Sequence, residues 1–586
     1  MLKGLLVVGS TLLAAVSATE QIPFGLGDTP FEERYEFGWP IKNVAIIGAG
    51  VSGLLSYRSL VENGNFETIR LFERDSVPGG NWHYTEEIPP SIPIANGLKD
   101  DWWKSDYVPT SLSLPSNYSK ASPLHKRYDV SGSGLSEKRK KRELELARNK
   151  FRLPKPIWKT LEANTPAPQQ QIPGYPWPPH VRWATHHTGL SRYLRAFASW
   201  LGVNTNDDTP DISYDTRVDK VTKRYVKGEH RGWTLVLHKF VHVEEDIYEE
   251  TWWTEDFDAI VVASGRFNIP HIPAIPGLVE WQERFPEHIL HSRQYRYAES
   301  YSKKNVLVVG ASASATGISI DLNPFVKQSY LSVREHSDNP RAPVSRSTHL
   351  AGVPSNTTFV GEIKAFLAPK DSMTEGKIEL VNGTIITGID DIIFGTGFRY
   401  SFPYLSDYHN SSVRNDEIPD VLEQPIVTDG SHVRSLYLDT FYIDQPTIAF
   451  QGQNVGIQTF VYGKYLGTVI AKVWSGQAPL PSSRAMWRHF WNTVEERGGL
   501  RRGFQWLPKD AERSYFRHFI AWINSASIKY GGEQLDLPPD VTEEMALWQK
   551  ARGIVPNKDG WNDLWSGVNA QSQDHDQWNK AAMDDW

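Results

Sequence analysis

The chain has 586 residues, a formal net charge of -7 and a sequence pI near 6.2. This length exceeds what one hydrophobic core usually organises, so we expect two or more structural units. The negative charge argues against a nucleic-acid binder, which needs a basic surface. The chain contains no cysteine, which excludes a disulfide framework and any enzyme that works through a redox-active cysteine pair.

The first 18 residues have the pattern of a secretory signal peptide. Lys3 precedes an apolar run over residues 4–16, and small residues follow at Ser17 and Ala18. The run is short for a transmembrane helix, and an uncleaved anchor is the alternative. We therefore expect a secretory-pathway protein with no membrane span after signal removal. Four glycosylation sequons occur, at Asn117, Asn356, Asn382 and Asn410.

A glycine-rich turn follows the first strongly apolar strand, Asn43–Ile47. Gly48 permits a tight turn, Gly50 lets the backbone approach a pyrophosphate, and Gly53 allows close packing of helix and strand. The next predicted strand ends in Glu73, 20 residues after Gly53, where a carboxylate would bind a ribose hydroxyl. The pattern predicts a dinucleotide site, and an ordinary strand–turn–helix is the alternative.

A second turn of the same kind follows the apolar run over residues 305–309, with Gly310, Ser312 and Ala315 at the three small positions. Small residues still admit a pyrophosphate, and the next strand ends in Arg334. Arginine binds a 2′-phosphate through forked hydrogen bonds, which favours NADPH over NADH. A solvated surface charge is the alternative for Arg334. Two turns predict two dinucleotides, most simply a flavin and a nicotinamide that reduces it.

From about residue 41 to about residue 482 the chain resembles the flavin-containing monooxygenases, which are class B flavoprotein monooxygenases. The order and spacing of several motifs carry the resemblance. Glu287 replaces a glycine of the family signature FxGxxxHxxxY/F. The motifs are Gly79-Gly80-Asn81-Trp82, Val261-Val-Ala-Ser-Gly265, the signature at Phe285–Tyr295, Phe394-Gly-Thr-Gly397-Phe, Phe402-Pro-Tyr-Leu405 and Pro446–Phe450.

The resemblance implies an α/β fold with two Rossmann-like dinucleotide-binding domains, the NADPH domain being inserted into a discontinuous FAD domain. The predicted boundaries are a signal peptide at 1–18, the first segment of the FAD domain at 19–272 with an irregular insertion at 85–180, the NADPH domain at 273–390, the second segment of the FAD domain at 391–540, and a Trp-rich tail at 541–586.

The resemblance also implies the chemistry. NADPH reduces FAD, and O2 adds to the reduced flavin to form a hydroperoxide that oxygenates a nitrogen or sulfur atom of a small nucleophilic substrate. Secondary metabolism is one candidate setting. His291 and Tyr295 are signature candidates for catalysis, although His291 can equally be a hydrogen-bonded structural histidine. The implied cofactor residues, beyond the two turns, Glu73 and Arg334, are Gly80, Trp82, Thr396 and Gly397; core packing is the alternative for Trp82. No metal site is expected.

Four departures from the family pattern leave alternatives open. Baeyer–Villiger relatives carry Trp where this chain has Tyr295, which favours heteroatom oxygenation over oxygenation of a ketone. An Asn of a TNLP-like segment is absent from the nearest match, Ser111–Pro115. With the degenerate second turn and Glu287, this absence supports the alternative of a flavin-dependent NADPH oxidase or a degenerate nucleotide-binding protein, whereas the number and order of the motifs favour the monooxygenase. NADPH is scarce outside cells, so an endomembrane lumen is favoured over release.

Overall fold

The computed structural model describes residues 34–91, 93–97, 102, 118–129, 134, 136–244, 247–334, 346–507, 509–541, 543–544 and 547. The predicted signal peptide, the segment Ser111–Pro115, the sequon at Asn117 and almost all of the Trp-rich tail lie outside these residues.

The chain forms strands of very different lengths. In chain order they are β1 (Asn43–Ile47), β2 (Thr68–Phe72), β3 (Leu124–Asp129), β4 (Ile212–Ser213), β5 (Thr216–Val226), β6 (Glu229–Glu244), β7 (Ile247–Phe257), β8 (Ala259–Val262), β9 (Ile269–Pro270), β10 (Ile289–His291), β11 (Asn305–Val309), β12 (Gln328–Ser332), β13 (Thr358–Val360), β14 (Ile363–Phe366), β15 (Ile378–Leu380), β16 (Ile385–Ile386), β17 (Asp391–Phe394), β18 (Phe398–Arg399), β19 (Leu436–Tyr437), β20 (Phe441–Tyr442) and β21 (Ile448–Phe450).

The α-helices cover the sheets. In chain order they are α1 (Val51–Asn63), α2 (Ile94–Gly97), α3 (Glu137–Arg152), α4 (His187–Trp200), α5 (Leu278–Arg284), α6 (Ala313–Leu322), α7 (Arg346–Ala351), α8 (Thr459–Trp474), α9 (Ser483–Glu496) and α10 (Lys509–Tyr530).

The first sheet has seven strands in the order β19-β20-β21-β8-β1-β2-β4. Strand β1 is central and pairs in parallel with both β2 and β8. Its apolar run is buried on both faces, against helices on one side and against Trp233 and Leu235 of β6 on the other. Helices α1 and α8 pack closely on one face, where Gly463 and Gly467 of α8 face Leu55 and Ser59 of α1.

The second sheet is wholly parallel, with the order β10-β17-β11-β12-β13. Its two faces bury different apolar clusters. Ile318 and Leu322 of α6 pack with Val306 and Val308 on one face. On the other face, α5 contributes Leu278 and Trp281, which pack with Leu307. The wholly parallel second sheet and the first sheet, which is parallel except at its β19-β20-β21 edge, confirm the predicted α/β fold.

One predicted boundary is wrong. The second segment of the first unit, which is the unit built on the first sheet, is predicted to begin at residue 391. Strand β17 nevertheless belongs to the second sheet, where it pairs with β10 and β11. The reason is its apolar run, because Ile392, Ile393 and Phe394 are fully buried there. The chain crosses back after β17, and β18 then pairs antiparallel with β9 on the outgoing crossing.

Two antiparallel sheets were not predicted. Strands β5, β6 and β7 form long hairpins that β3 completes, and β14, β15 and β16 form a smaller sheet. Within the insertion at 85–180, a run of charged residues forms helix α3. Among the residues that the structure describes, no helix is long and apolar enough to cross a membrane.

Candidate active site

A single cleft of about 2280 Å³ contains both glycine-rich turns. Its walls include the residues that follow the carboxyl ends of β1, β2 and β8 in the first sheet. Opposite them lie the residues that follow β11, β12 and β17 in the second sheet. The carboxyl ends of parallel strands are where open α/β sheets bind their ligands. Two nucleotides bound at the two turns would therefore share one cleft.

The first turn has bare backbone where a pyrophosphate would lie. Gly48 has φ +105°, and a Cβ added to it would lie 2.7 Å from the carbonyl oxygen of Ala263. A Cβ on Gly53 would lie 1.7 Å from the carbonyl oxygen of Gly48, and one on Gly80 would lie 2.9 Å from Cα of Gly50. Among the described residues, no side chain caps α1. Its first N–H groups can therefore bind a phosphate, and the turn fits a dinucleotide.

Glu73 lies just beyond β2, buried at the edge of the cleft. One carboxylate oxygen accepts the N–H of Ala49 at 2.8 Å, and the other accepts the N–H of Asp75 at 2.9 Å. Each oxygen keeps a lone pair that can accept a ribose hydroxyl. Lys155, from the insertion, is 3.5 Å from Asp75 and 4.0 Å from Glu73. Although burial opposes it, Lys155 and the ring of His83 hold the pKa of Asp75 well below its usual range.

The second turn is open despite its substitutions. Gly310 has φ +131°, and a Cβ there would lie 2.7 Å from the carbonyl oxygen of Gly395. Ser312 is exposed in extended backbone at the start of α6. The methyl group of Ala315 has room because Gly395 carries no side chain; a Cβ on Gly395 would lie 2.6 Å from it. Arg334 is exposed to the cleft beyond β12. This turn also fits a dinucleotide.

The signature residues do not line this cleft. The Nε2–H of His291 donates to the carbonyl of Gly397 at 2.9 Å, and its Nδ1 accepts the N–H of Arg293 at 3.2 Å. These partners assign the tautomer. Burial lowers the pKa of His291 to about 3, so the ring is neutral. The buried hydroxyl of Tyr295 donates to Asp321 at 2.6 Å. Both side chains therefore occupy structural positions. Glu287 is exposed, without a positive φ.

The other predicted cofactor residues line the cleft, except Gly53 and Ala315, which are packed beneath the two turns. Trp82 faces it while packing, partly buried, against the core of the first unit. Thr396 donates its hydroxyl hydrogen to the carbonyl of His271. Gly397 has φ +85°, and its carbonyl accepts the N–H of His271 at 2.8 Å. A Cβ on Gly397 would lie 2.6 Å from Nη2 of Arg502.

Sequence analysis missed Asn164, which is exposed in the cleft. Backbone hydrogen bonds fix its segment, since Ala163 donates to Thr185 at 2.8 Å and Ala167 donates to Trp183 at 3.0 Å. The signal was present, because Asn164-Thr-Pro166 has the Asn-x-Pro spacing of the TNLP-like segment. The family Asn therefore corresponds better to Asn164 than to any residue of Ser111–Pro115.

Arg266 was also missed. It follows β8 and lines the cleft, and its Nη1 donates to the carbonyls of Gly452 at 3.1 Å and Asn454 at 2.9 Å. These bonds hold the loop before α8 against the end of β8. The loop itself lines the cleft through Gly456 and Gln458. Arg266 thus joins two segments of the first unit that are far apart in sequence.

Comparison with known proteins identifies the family. A family described as flavin-binding monooxygenase-like matches residues 154–370, and an NAD(P)-binding Rossmann-like domain matches residues 46–128. Flavin-containing monooxygenase iboF of Amanita muscaria is 43% identical over 512 residues, which is 86% of this chain and 92% of that protein. Flavin-containing monooxygenase ustF2 of Aspergillus flavus is 29% identical over 495 residues, covering 82% of this chain and 92% of that protein.

Two solved structures share the fold. S-allyl-L-cysteine S-oxygenase from Allium sativum superposes with a TM-score of 0.58 at 21% identity, covering 92% of this chain and 99% of that one. Tmm from Pelagibacter sp. strain HTCC7211 gives a TM-score of 0.56 at 18% identity, covering 87% and 91%.

The two turns fit the cofactors of this family, FAD and NADPH. The fold, and the 43% identity to iboF over 86% of this chain, indicate the same family. The chain is a flavin-dependent monooxygenase and belongs to the flavin-containing monooxygenase family.

Proposed function

We propose that this enzyme uses NADPH and O2 to oxygenate a nitrogen or sulfur atom of a small molecule. The observation that carries the proposal is the exposure of Asn164 to the cleft that holds both turns. In the proposal, the residues that bind FAD are Gly48, Gly50, Gly53, Glu73, Gly80 and Trp82, and those that bind NADPH are Gly310, Ser312, Ala315, Arg334, Thr396 and Gly397.

Bound FAD supplies the hydride acceptance and the activation of O2, so the chain's own residues mainly position groups and exclude water. Asn164 suits this task because its amide donates and accepts hydrogen bonds without gaining or losing a proton. Its segment is fixed by backbone bonds on both sides, which keeps the amide in one place. Its presence removes the strongest sequence argument for an oxidase that only releases peroxide.

Two further observations favour heteroatom oxygenation over oxygenation of a ketone. A nitrogen or sulfur atom attacks with its own lone pair, so no side chain has to activate it. His291 and Tyr295, the signature candidates for catalysis, are buried away from the cleft, and Tyr295 stands where Baeyer–Villiger relatives carry Trp. The site therefore needs to select and orient a nucleophile that is already reactive.

The test is isotope incorporation. The FAD-loaded enzyme is incubated with NADPH, oxygen-18 O2 and a panel of amines, thioethers and ketones, while NADPH consumption and peroxide release are measured. We expect label in an N-oxide, hydroxylamine or S-oxide, and increased peroxide per NADPH in Asn164→Ala. Asn149→Ala, on α3, is the control and should match the wild type. Label only in esters, or peroxide that accounts for all NADPH with every compound, would overturn the proposal.

We also propose that the protein enters the secretory pathway and carries glycans at Asn356, Asn382 and Asn410. All three side chains are exposed, which supports their access to a glycosyltransferase. The carbonyl oxygen of the Asn410 side chain accepts the hydroxyl hydrogen of Ser412, the third residue of its sequon, at 2.6 Å. Expression in a eukaryotic host should yield protein whose mass falls on endoglycosidase treatment, and an unchanged mass would refute the assignment.

A further inference from the structure

Three arginines from different regions of the chain meet at the cleft. Arg334 follows β12, Arg399 lies in β18, and Arg502 lies in the turn after α9. Arg502 is exposed to the cleft, and desolvation by the cleft walls, followed by the neighbouring charges of Arg334 and Arg399, lowers its pKa. Within the described ranges of the chain, neither Arg399 nor Arg502 forms an ion pair with a carboxylate. Two arginines without a salt bridge among the described residues, close to a third, favour an anionic ligand at this part of the cleft.

The sheet places these arginines around the second turn. Arg502 Nη2 donates to the carbonyl of Thr396 at 2.6 Å, just beyond β17. Strands β17, β11 and β12 are adjacent and parallel, with Phe394, Val309 and Ser332 in register. Neighbouring strands lie about 4.8 Å apart, so the ends of β17 and β12 are separated by about 10 Å. The turn after β11 lies between them, flanked by Arg502 on one side and Arg334 on the other.

Arg502 is presented by a rigid turn. The side chain of Gln505, fully buried, accepts the N–H of Val433 at 3.1 Å and donates to its carbonyl at 2.6 Å. Arg497 donates to the carbonyl of Phe504 at 2.8 Å and is held by a buried ion pair with Asp439 at 2.9 Å. Binding through Arg502 therefore costs little ordering of the backbone.

Arg399 is held differently. Its guanidinium lies 4.8 Å from the ring centroid of Trp102. Burial lowers its pKa, although Asp429 opposes this effect. Because β18 is one of the two crossings between the sheets, Arg399 belongs to the wall that faces the second turn.

We propose that Arg502, supported by Arg399, binds the pyrophosphate of NADP(H) from the β17 side of the Gly310 turn, while Arg334 binds the 2′-phosphate. The inference rests on the use of NADPH. One nucleotide is then held by both units, the glycine turn and Arg334 from the inserted unit and Arg502 from the first. Arginine suits this role because its fork binds phosphate oxygens in pairs.

The test is equilibrium binding of NADP⁺ and of NAD⁺ to the FAD-loaded enzyme, without O2 or substrate. A charge-assisted contact contributes about 1.5–3 kcal/mol, so Arg502→Gln should raise both dissociation constants about tenfold or more. Arg334→Gln should raise only that of NADP⁺. The control is Arg501→Gln, since Arg501 is the exposed neighbour outside the cleft.

Two outcomes would overturn the proposal. Either Arg502→Gln binds both nucleotides as Arg501→Gln does, or it weakens only NADP⁺, which would assign Arg502 to the 2′-phosphate. FAD content and Tm are measured for each variant. If Arg502→Gln loses FAD, Arg502→Lys replaces it, with an expected loss of about threefold or more for both nucleotides. Because no oxygenation is measured, the result is independent of the substrate proposal.

Discussion

The two nucleotide turns reach the same geometry with different residues. Gly48 and Gly310 both have positive φ, and an added Cβ would lie 2.7 Å from a carbonyl oxygen of the neighbouring strand in each case. The helices that follow differ. Gly53 has no space for a side chain because the carbonyl oxygen of Gly48 would lie 1.7 Å away, whereas Ala315 keeps its methyl group against the bare Gly395. Close packing of the helix against the sheet requires one residue without a side chain. In the first unit that residue is Gly53 in the helix, and in the second unit it is Gly395, just after β17.

The residue that follows the second strand also differs between the two units. Glu73 is buried and fixed by two backbone N–H groups, whereas Arg334 is exposed to the cleft. A carboxylate that receives a neutral ribose must be held and shielded by the protein. A guanidinium that receives a phosphate can stay hydrated until the ligand arrives.

The largest expected effect is that of Gly53→Ala. The new methyl group would meet the backbone of Gly48, which is unable to yield as a side chain would. We expect destabilisation of more than about 3 kcal/mol and loss of FAD from the purified protein. FAD absorbance per protein and the Tm measure this, with Ala315→Gly as the matched change in the second turn. Full FAD content in Gly53→Ala would show that the two turns tolerate alanine equally.

Gly395→Ala should have the next largest effect. Its methyl group would lie 2.6 Å from that of Ala315, so the cost is about 1–3 kcal/mol with weakened NADP⁺ binding. Adding Ala315→Gly should restore most of both, because the double change moves the methyl group from helix to strand. A double-mutant cycle on the Tm and the NADP⁺ dissociation constant measures the coupling. Simple additivity would contradict the account.

Acid should affect the first unit through four histidines after β18. Burial is the main cause that lowers the pKa of His409 to about 3 and those of His432, His489 and His518 to about 4. The folded state keeps these rings neutral, so their stabilisation is complete above the unfolded pKa of about 6.5 and declines as pH falls toward 4. The loss is at most about 1.4 kcal/mol per ring for each pH unit.

The measurement is the Tm and FAD release between pH 7 and pH 4.5. Asp75 and Asp219, whose pKa values are held low despite burial, lose their contribution only below about pH 4, outside this window. A Tm that stays level down to pH 5 would show that the rings are protonated at little cost.

The smallest effect should come from Ser312→Gly, which makes the second turn more like the first. Ser312 lies in extended backbone that any residue adopts, so only its hydroxyl is lost. One hydrogen bond from this exposed, uncharged hydroxyl to a phosphate contributes about 0.5–1.5 kcal/mol, which predicts an NADP⁺ complex weaker by about twofold to tenfold. Tighter binding in Ser312→Gly would instead show that the serine restricts approach of the pyrophosphate.

Sequence reasoning located both turns because their signals are local. A buried strand, a glycine with positive φ and a helix start lie within about ten residues, and backbone sterics relate them directly. The hairpins of β5, β6 and β7 escaped because their strands carry many charged residues and pair mainly with one another.

The rest of the site depends on contacts between distant segments. Arg266 meets carbonyls about 190 residues further along, as its bonds to residues 452–454 show, and Arg502 meets Thr396 from 106 residues away. No periodicity carries that information. Asn164 is different, because its Asn-x-Pro spacing is visible in the sequence, although the TNLP-like segment was matched to Ser111–Pro115. The boundary at residue 391 is wrong because a buried parallel strand has the same apolar sequence pattern in either sheet.

The two crossings between the sheets together form one hinge. Strands β9 and β18 pair with each other, and the carbonyl of Gly397 accepts both the N–H of His271 and the Nε2–H of His291. Two hydrogen-bonded strands resist stretching more than twisting. We therefore expect the inserted unit to rotate about the axis of this strand pair, which the hydrogen bond from His291 to Gly397 keeps in position.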